Sequence, residues 1–181
     1  MKTWVLFACV VFLLCMPAFG QQVSANPQGN NVGIAWTGTT GDPGTNGVRV
    51  FGGLWLRSFE LAAEFTHSAV NIKTASLVIK TRQEDVLAGP RLYLGNVVKN
   101  SKFVPFGHLL FGYSHENSDV TGLPVEESDN AYSWDFGGGI DYHFNPRWSG
   151  RLRADVFRTH FRDDSQTHAR YGFGVVYTFG K

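Results

Sequence analysis

Apolar and polar residues alternate with a period of two along most of the chain beyond residue 31, and no stretch sustains the 3.6-residue period of a helix. Alternation of this kind is typical of β-strands that have one apolar and one polar face. We therefore predict eight strands and no long helix. The predicted strands cover residues 32–37, 47–56, 59–67, 77–95, 102–115, 131–144, 148–161 and 167–179.

The sixth predicted strand has the clearest two-faced pattern. One face carries Tyr132, Trp134, Phe136, Gly138, Ile140, Tyr142 and Phe144, and the other carries Ser133, Asp135, Gly137, Gly139, Asp141 and His143. Large aromatic residues stand near both ends of the apolar face, as in strands that cross a membrane between two interfacial girdles. The last strand repeats this pattern from Tyr171 to Phe179. The predicted fold class is all-β, an eight-stranded antiparallel transmembrane up-and-down β-barrel.

Two tight turns test whether the predicted outer faces of neighbouring strands lie on the same side of the sheet. Around residues 57–58 and 145–147, hairpin pairing keeps the faces consistent without a bulge. The expected outside pairs are Leu54 with Leu61 and Tyr142 with Gly150, and the expected inside pairs are Trp55 with Glu60 and Asp141 with Arg151.

The connections between the predicted strands alternate in length. Short turns are predicted at residues 57–58, 96–101 and 145–147, and longer loops at 38–46, 66–76, 116–130 and 162–166. Outer-membrane barrels have short periplasmic turns and longer external loops, and an even strand number returns both termini to the periplasm. We therefore expect an outer-membrane protein with both termini in the periplasm.

The first twenty residues are typical of a signal peptide. Lys2 precedes an apolar run from Trp4 to Met16, and Pro17 and a small-residue end at Gly20 follow it. The run is shorter than the roughly 20 apolar residues that span a bilayer as a helix. We predict a signal peptide over residues 1–20, a flexible leader over 21–31 and a barrel domain over 32–181. Both cysteines lie in the segment to be removed, so the mature chain has no thiol.

Composition agrees with a barrel and excludes other classes. A mean hydropathy of −0.12 is too polar for a helical membrane protein, but only alternate residues of a barrel strand face lipid. The formal net charge of +1 gives no reason to expect a nucleic-acid partner.

The chain resembles the small eight-stranded outer-membrane barrels, the family of the OmpA-like transmembrane domain and the opacity-type, porin-like proteins. The resemblance rests on the signal peptide, the glycine-rich strand at residues 136–141, Val104-Pro105-Phe106 at the start of the fifth strand, and the aromatic last strand. It implies a non-enzymatic monomer with a role in envelope integrity or in surface interaction through its external loops. The implied partners are outer-membrane lipid and lipopolysaccharide.

Charged residues of both signs fall on the inward faces of the predicted strands. They are Glu60, Glu64, Arg91, Asp135, Asp141, Arg151, Arg153, Asp155 and Arg170. Eight strands leave an interior just wide enough for side chains, so we expect these residues to form ion pairs that fill the lumen. The alternative is a conducting or proton-coupled pore.

Residues near the predicted external rim could bind ions or lipid. Four histidines, His67, His115, His160 and His168, lie there, but no two have the local spacing of metal ligands. We therefore predict no metal and no cofactor. Arg158 and Arg162 flank the fourth external loop and are candidates for contact with lipopolysaccharide phosphates.

Two other classes remain as alternatives. Gly53-Leu54-Trp55 matches the G-x-W of a lipocalin, so the second hypothesis is a soluble periplasmic carrier of a hydrophobic ligand. An outer-membrane lipid A-modifying enzyme would need Ser and His together. The adjacent pairs His67-Ser68 and Ser114-His115 would point to opposite faces of a strand, so we assign no catalytic residue.

Overall fold

The protein is an eight-stranded antiparallel barrel in which each strand pairs with its neighbours in sequence and β1 closes on β8. We describe a computed structural model over residues 29–41, 44–74, 77–94, 102–120, 126–160 and 165–179. The strands are β1 Asn30–Thr39, β2 Asn46–Leu56, β3 Phe59–Thr74, β4 Leu77–Tyr93, β5 Phe103–Val120, β6 Glu126–His143, β7 Trp148–His160 and β8 Ser165–Phe179. Within these residues, no helix has the length and apolar character needed to cross a membrane.

The predicted strands, order and turn pairing are confirmed. Leu54 lies opposite Leu61 and Trp55 opposite Glu60 across the β2–β3 turn. Asp141 lies opposite Arg151 across the β6–β7 turn. A two-residue turn fixes which residues oppose one another, so the inside and outside faces follow directly from the sequence.

Two predicted loops are wrong, because their residues are mostly strand. β3 continues to Thr74 rather than ending at residue 67, and β5 and β6 extend to Val120 and back to Glu126. The extensions of β5 and β6 carry polar residues on both faces, so the hydrophobic alternation that reveals a half-buried strand is missing there. The extension of β3 has only a short alternating run, from Val70 to Lys73. β1 also begins at Asn30, before the predicted residue 32.

The outer surface carries the exposed apolar residues. Leu152 is 65% exposed and Tyr132 is 68% exposed, and both point away from the barrel interior. Aromatic pairs stand near each end of this surface, with Tyr113 and Tyr132 at one end and Trp148 and Tyr177 at the other. An apolar outer band between two aromatic girdles is the form of a barrel that spans a membrane. We call the end with the β2–β3 and β6–β7 turns the turn end, and the opposite end the loop end.

Glycines on the inner face of β6 make room for the large lumen side chains. A Cβ on Gly137 would collide with the Asp155 carboxylate, and a Cβ on Gly139 would lie 2.8 Å from the Phe106 ring. Most of the remaining interior is polar. A small apolar cluster of Ala62, Leu87, Leu110 and Phe157 fills part of it.

Candidate functional site

Charged side chains fill the barrel interior. Among the described residues, six carboxylates and five arginines are buried together with one histidine, each at most 7% exposed. They are Glu60, Glu64, Asp85, Asp135, Asp141 and Asp155, with Arg49, Arg91, Arg151, Arg153, Arg170 and His108. Buried charges of one sign would destabilise the barrel. The near balance of positive and negative charges is therefore what allows them to be buried together.

Arg153 on β7 lies at the centre of these charges. Its Nη1 donates to both oxygens of Glu64 at 2.5 and 2.6 Å. Its Nη2 donates to Asp135 at 3.1 Å and to His108 Nε2 at 2.8 Å. Its Nε lies 2.5 Å from the Asp155 carboxylate. One guanidinium therefore holds together groups from β3, β5, β6 and β7.

A second arginine, Arg151, is fixed toward the turn end. Its Nε and Nη2 each donate to one oxygen of Asp141 at 2.7 Å, which makes a bidentate pair. Nη2 also donates to the Tyr93 hydroxyl at 2.9 Å. The guanidinium lies 4.8 Å from the Phe51 ring centre and 4.6 Å from that of Phe106. The planar cation is thus paired on its edge and packed against aromatic rings on its faces.

Arg91 on β4 links two acids of β3. It donates to Glu60 at 2.6 Å and to Glu64 at 2.8 Å. Tyr93 and Asn31 also donate to Glu60, at 3.1 and 2.5 Å. Because Asn31 belongs to β1, this group connects the start of the barrel wall to β3 and β4.

Arg170 on β8 pairs with Asp85 on β4 toward the loop end. The Arg170 guanidinium donates to Asp85 at 2.6 Å and lies 3.6 Å from the Phe157 ring centre. Ser114 also donates to Asp85 at 2.6 Å. Arg49 stands between this group and the centre, 3.7 Å from Glu64 and 3.6 Å from Asp155. The ion pairs therefore continue from one end of the interior toward the other.

The structure places all nine sequence-predicted lumen residues inside the barrel, each within an ion pair with another of the lumen charges. It adds Arg49, Asp85 and His108, which were not among the predicted lumen residues. The alternation of inward and outward residues along each strand would have predicted them. Arg49 has the same strand parity as Trp55, Asp85 as Arg91, and His108 as Phe106, and each of those partners points inward.

His108, Asp135 and Asp155 are the one group in the described part of the chain whose potential metal ligands lie within 4.8 Å of one another. Arg153 already contacts all three. A metal ion there would have to displace a buried guanidinium from its partners, so the arrangement favours the internal cation. Nearby, a void of about 10 Å³ is lined by Arg49, Phe51, Arg151 and Arg153. A void of this size holds about one water molecule.

The rim residues lie apart from the lumen network. Arg158 is on the outward face of β7, opposite Trp134 and Thr167, and its Nε has no hydrogen-bond partner. Arg162, the other candidate for lipopolysaccharide contact, is outside the described residues. Ser68 and Ser114 are buried in the interior, whereas the adjacent His67 points outward. The two side chains of this Ser-His pair thus point to opposite sides of the wall.

The lipocalin-like residues do not form a carrier's interior. Leu54 is 57% exposed on the outer face, as are many large apolar residues of the wall, and Trp55 packs beside Tyr93 inside. A carrier for hydrophobic ligands needs an apolar cavity inside and a polar surface outside. The described residues have the opposite distribution, with apolar groups outside and charges inside.

The sequence profile of the outer membrane protein beta-barrel domain family matches residues 6–179. No curated protein sequence matches the chain.

Three solved barrels are similar to the chain in fold. Neisserial surface protein A has a TM-score of 0.63 and 13% identity, over 83% of this chain and 96% of that one. Ail, the attachment invasion locus protein of Yersinia pestis, solved with the heparin analogue sucrose octasulfate, has a TM-score of 0.55 and 16% identity, over 83% and 97%. OprG of Pseudomonas aeruginosa has a TM-score of 0.51 and 13% identity, over 88% and 100%.

Proposed function

Since the chain belongs to the outer membrane protein beta-barrel domain family, we propose that it is a non-enzymatic, non-conducting barrel that makes contacts outside the cell. In this proposal the loop end faces outward and both termini lie in the periplasm. The strands β3 to β6 provide the contact surface. The closed barrel holds this surface in place and contributes to envelope integrity.

The observation that carries this proposal is the unequal height of the barrel wall. β2 begins at Asn46, opposite Ala69, but β3 continues to Thr74. The pairing of β3 with β4 runs to Thr74 and Leu77, and that of β5 with β6 runs to Asp119 and Glu126. One half of the wall therefore rises above the other half as a four-stranded sheet, which we call the raised sheet.

The raised sheet is polar on the face that points outward. Lys80 and Arg82 of β4 and Asp119 of β5 lie on this face. Continuous backbone pairing holds these charges on a rigid surface rather than on loose loops. A surface of this kind suits a partner recognised by charge and hydrogen bonding, such as a polysaccharide or a charged protein surface.

The filled interior supports the non-conducting part of the proposal. The buried ion pairs occupy the section that a solute would have to cross, and the void beside Arg153 has room for about one water. A conducting barrel of eight strands would have to break several of these pairs. We therefore expect no stable channel when the purified barrel is placed in a planar bilayer.

Arg158 is proposed to bind a lipopolysaccharide phosphate. It lies on the outward face near the loop end, opposite Trp134 and two residues from His160. A guanidinium at a membrane surface is matched by a phosphate. Arg158→Gln should weaken binding of lipopolysaccharide to the refolded barrel about fivefold, since one such cation contributes about 1 kcal/mol. Arg147→Gln, at the exposed turn of the other end, is the control.

The experiment for the surface role removes the raised sheet and keeps the barrel. Ala69, Arg82, Asn117 and Ser128 lie in one row across the four strands. Joining Ala69 to Arg82, and Asn117 to Ser128, by two-residue Asn-Gly turns removes everything above that row. Cells with the intact chain, the trimmed chain or no chain are then compared for adherence to heparin and to poly-lysine surfaces, and for resistance to detergent.

We expect the trimmed chain to fold, as shown by a heat-modifiable shift on gels, and to lose the adherence that the intact chain gives. Detergent resistance should match that of cells with the intact chain, because the barrel wall is unchanged. Equal adherence of intact and trimmed cells would contradict the surface role. A stable conductance of the intact chain would contradict the filled lumen.

A further inference from the structure

Three side chains that can bind metal ions lie side by side on the outer face of the wall. His67 on β3 is directly opposite Glu84 on β4, and Glu84 is directly opposite His115 on β5. Adjacent strands are about 4.8 Å apart, so the two histidine backbones are about 10 Å apart with Glu84 between them. The row lies just above the aromatic girdle of Tyr113 and Tyr132 and below the raised sheet.

His67 and Glu84 share a hydrogen bond whose length is close to the separation of two ligands of one ion. His67 Nδ1 lies 3.2 Å from Glu84 Oε1. Two ligands about 2.0 Å from a tetrahedral zinc ion are about 3.3 Å apart. Both side chains are close to half exposed, at 49% and 51%, so an ion can reach them from solvent.

His115 is oriented by a neighbour on its other side. Its Nδ1 donates to the Asn130 amide oxygen at 2.9 Å, and Asn130 belongs to β6. Metal-binding histidines typically donate one ring N–H to an oxygen in this way, which leaves the other nitrogen free for the metal. The two ring nitrogens point in nearly opposite directions, so Nε2 of His115 is directed away from Asn130.

The donor set fits a divalent transition metal. Two neutral imidazoles and one carboxylate are ligands of zinc in sites that keep an open position for water or another oxygen. The ligand atoms of this row do not all lie within 4.8 Å of one another, as those of the lumen group around His108 do. The row has no arginine bound across it, however, since the hydrogen bonds of His67 and His115 go to Glu84 and Asn130. The site faces outward at the height where lipid headgroups meet the wall, so a phosphate or water oxygen can complete the coordination.

We propose that His67 and Glu84 form the core of a zinc-type metal site on the outer face of β3 and β4, and that His115 of β5 completes it by turning its ring toward them when the ion binds. No local sequence spacing predicts this site, because the ligands come from three strands and only the register brings them into one row. The site is independent of the surface role of the raised sheet, since trimming above Ala69 and Arg82 leaves all three residues in place.

The test is calorimetric titration of zinc into the refolded barrel, without an affinity tag, in detergent micelles. We expect one zinc per chain for the intact protein and at least a tenfold weaker affinity for His67→Ala and for His115→Ala. His160→Ala is the matched control, because His160 is an exposed histidine on β7 with Tyr132 and Ser165 opposite it and no carboxylate. The control should bind zinc like the intact chain.

Cobalt provides a second measurement that does not depend on heat. A tetrahedral cobalt complex absorbs strongly in the visible range, and Glu84→Gln should lower this absorption while the heat-modifiable gel shift shows that the barrel is folded. No zinc binding by the intact chain would overturn the proposal. Equal loss of binding in His160→Ala and His115→Ala would also overturn it, because binding would then not depend on the row.

Discussion

Arg151 shows how a charge is accommodated inside this wall. Its partner Asp141 faces it directly across the β6–β7 turn, and both side chains are at most 4% exposed. Two hydrogen bonds to Asp141 and one to Tyr93 use most of the donors of the guanidinium. Removal of one charge from such a pair leaves the other buried without a partner, which strongly destabilises the folded protein.

Arg151→Met should therefore lower the free energy of unfolding by about 3–5 kcal/mol, because Asp141 would remain buried and charged. The double variant Arg151→Met with Asp141→Leu should recover most of this loss, since apolar side chains replace the whole pair. Unfolding in urea, followed by tryptophan fluorescence in micelles, measures both. Arg147→Met, on the exposed turn, is the control. Equal midpoints for Arg151→Met and Arg147→Met would contradict the role of Arg151 in the lumen.

At the scale of elements, β6 combines an apolar outer face with an inner face that has almost no side-chain volume at its centre. Gly137 lies opposite His108 on one side and Asp155 on the other. Both of these neighbours reach into the central charge group around Arg153. The strand thus contributes space rather than contacts, and that space is required by the residues on β5 and β7.

Gly137→Ala should destabilise the barrel by about 1–3 kcal/mol, because the new methyl group would overlap the Asp155 carboxylate and the adjacent backbone. Gly107→Ala is a matched control on β5. A Cβ there would lie 3.7 Å from the nearest atom, an ordinary contact, so its stability should change little. The urea midpoints of the two variants decide the question. Equal destabilisation would mean that both glycines act through the backbone and not through lumen space.

At the scale of the whole molecule, the exposed apolar belt determines where the barrel is stable. Leu152 lies on the outer face in line with Ile140 of β6 and Phe173 of β8. All three are exposed to the surroundings, at 65%, 45% and 58%. In water such a belt would drive aggregation, whereas in a bilayer it is matched by lipid tails.

A charge in the belt should therefore be costly according to its depth. Leu152→Lys is expected to lower stability in lipid vesicles by about 2–4 kcal/mol, whereas Tyr132→Lys, in the girdle at the loop end, should cost about 0–1 kcal/mol. Urea unfolding of the two variants in vesicles of phosphatidylcholine measures the difference. Equal costs at the two positions would contradict the membrane-spanning orientation of the wall.

Local patterns in the sequence were sufficient to predict the number of strands, their inside and outside faces, and the residue pairing at two turns. A strand has a strict period of two, so a single run such as Tyr132 to Phe144 reveals its own faces. A two-residue turn then fixes the register of the next strand, and Trp55 opposite Glu60 follows from the chain alone. The same parity would have placed Arg49, Asp85 and His108 in the lumen.

Only the closed barrel decided which side chains meet. Arg153 and Glu64 are far apart in sequence and lie on strands that are not neighbours, yet they share two hydrogen bonds across the interior. The raised sheet also depends on how far β3 to β6 pair beyond β2 and β7, and the row of His67, Glu84 and His115 depends on the register of β3, β4 and β5. The extensions of β5 and β6 are polar on both faces, so backbone pairing rather than burial makes them strands. Hydrophobic patterning predicts only which residues are buried, whereas the tertiary structure determines which side chains contact one another.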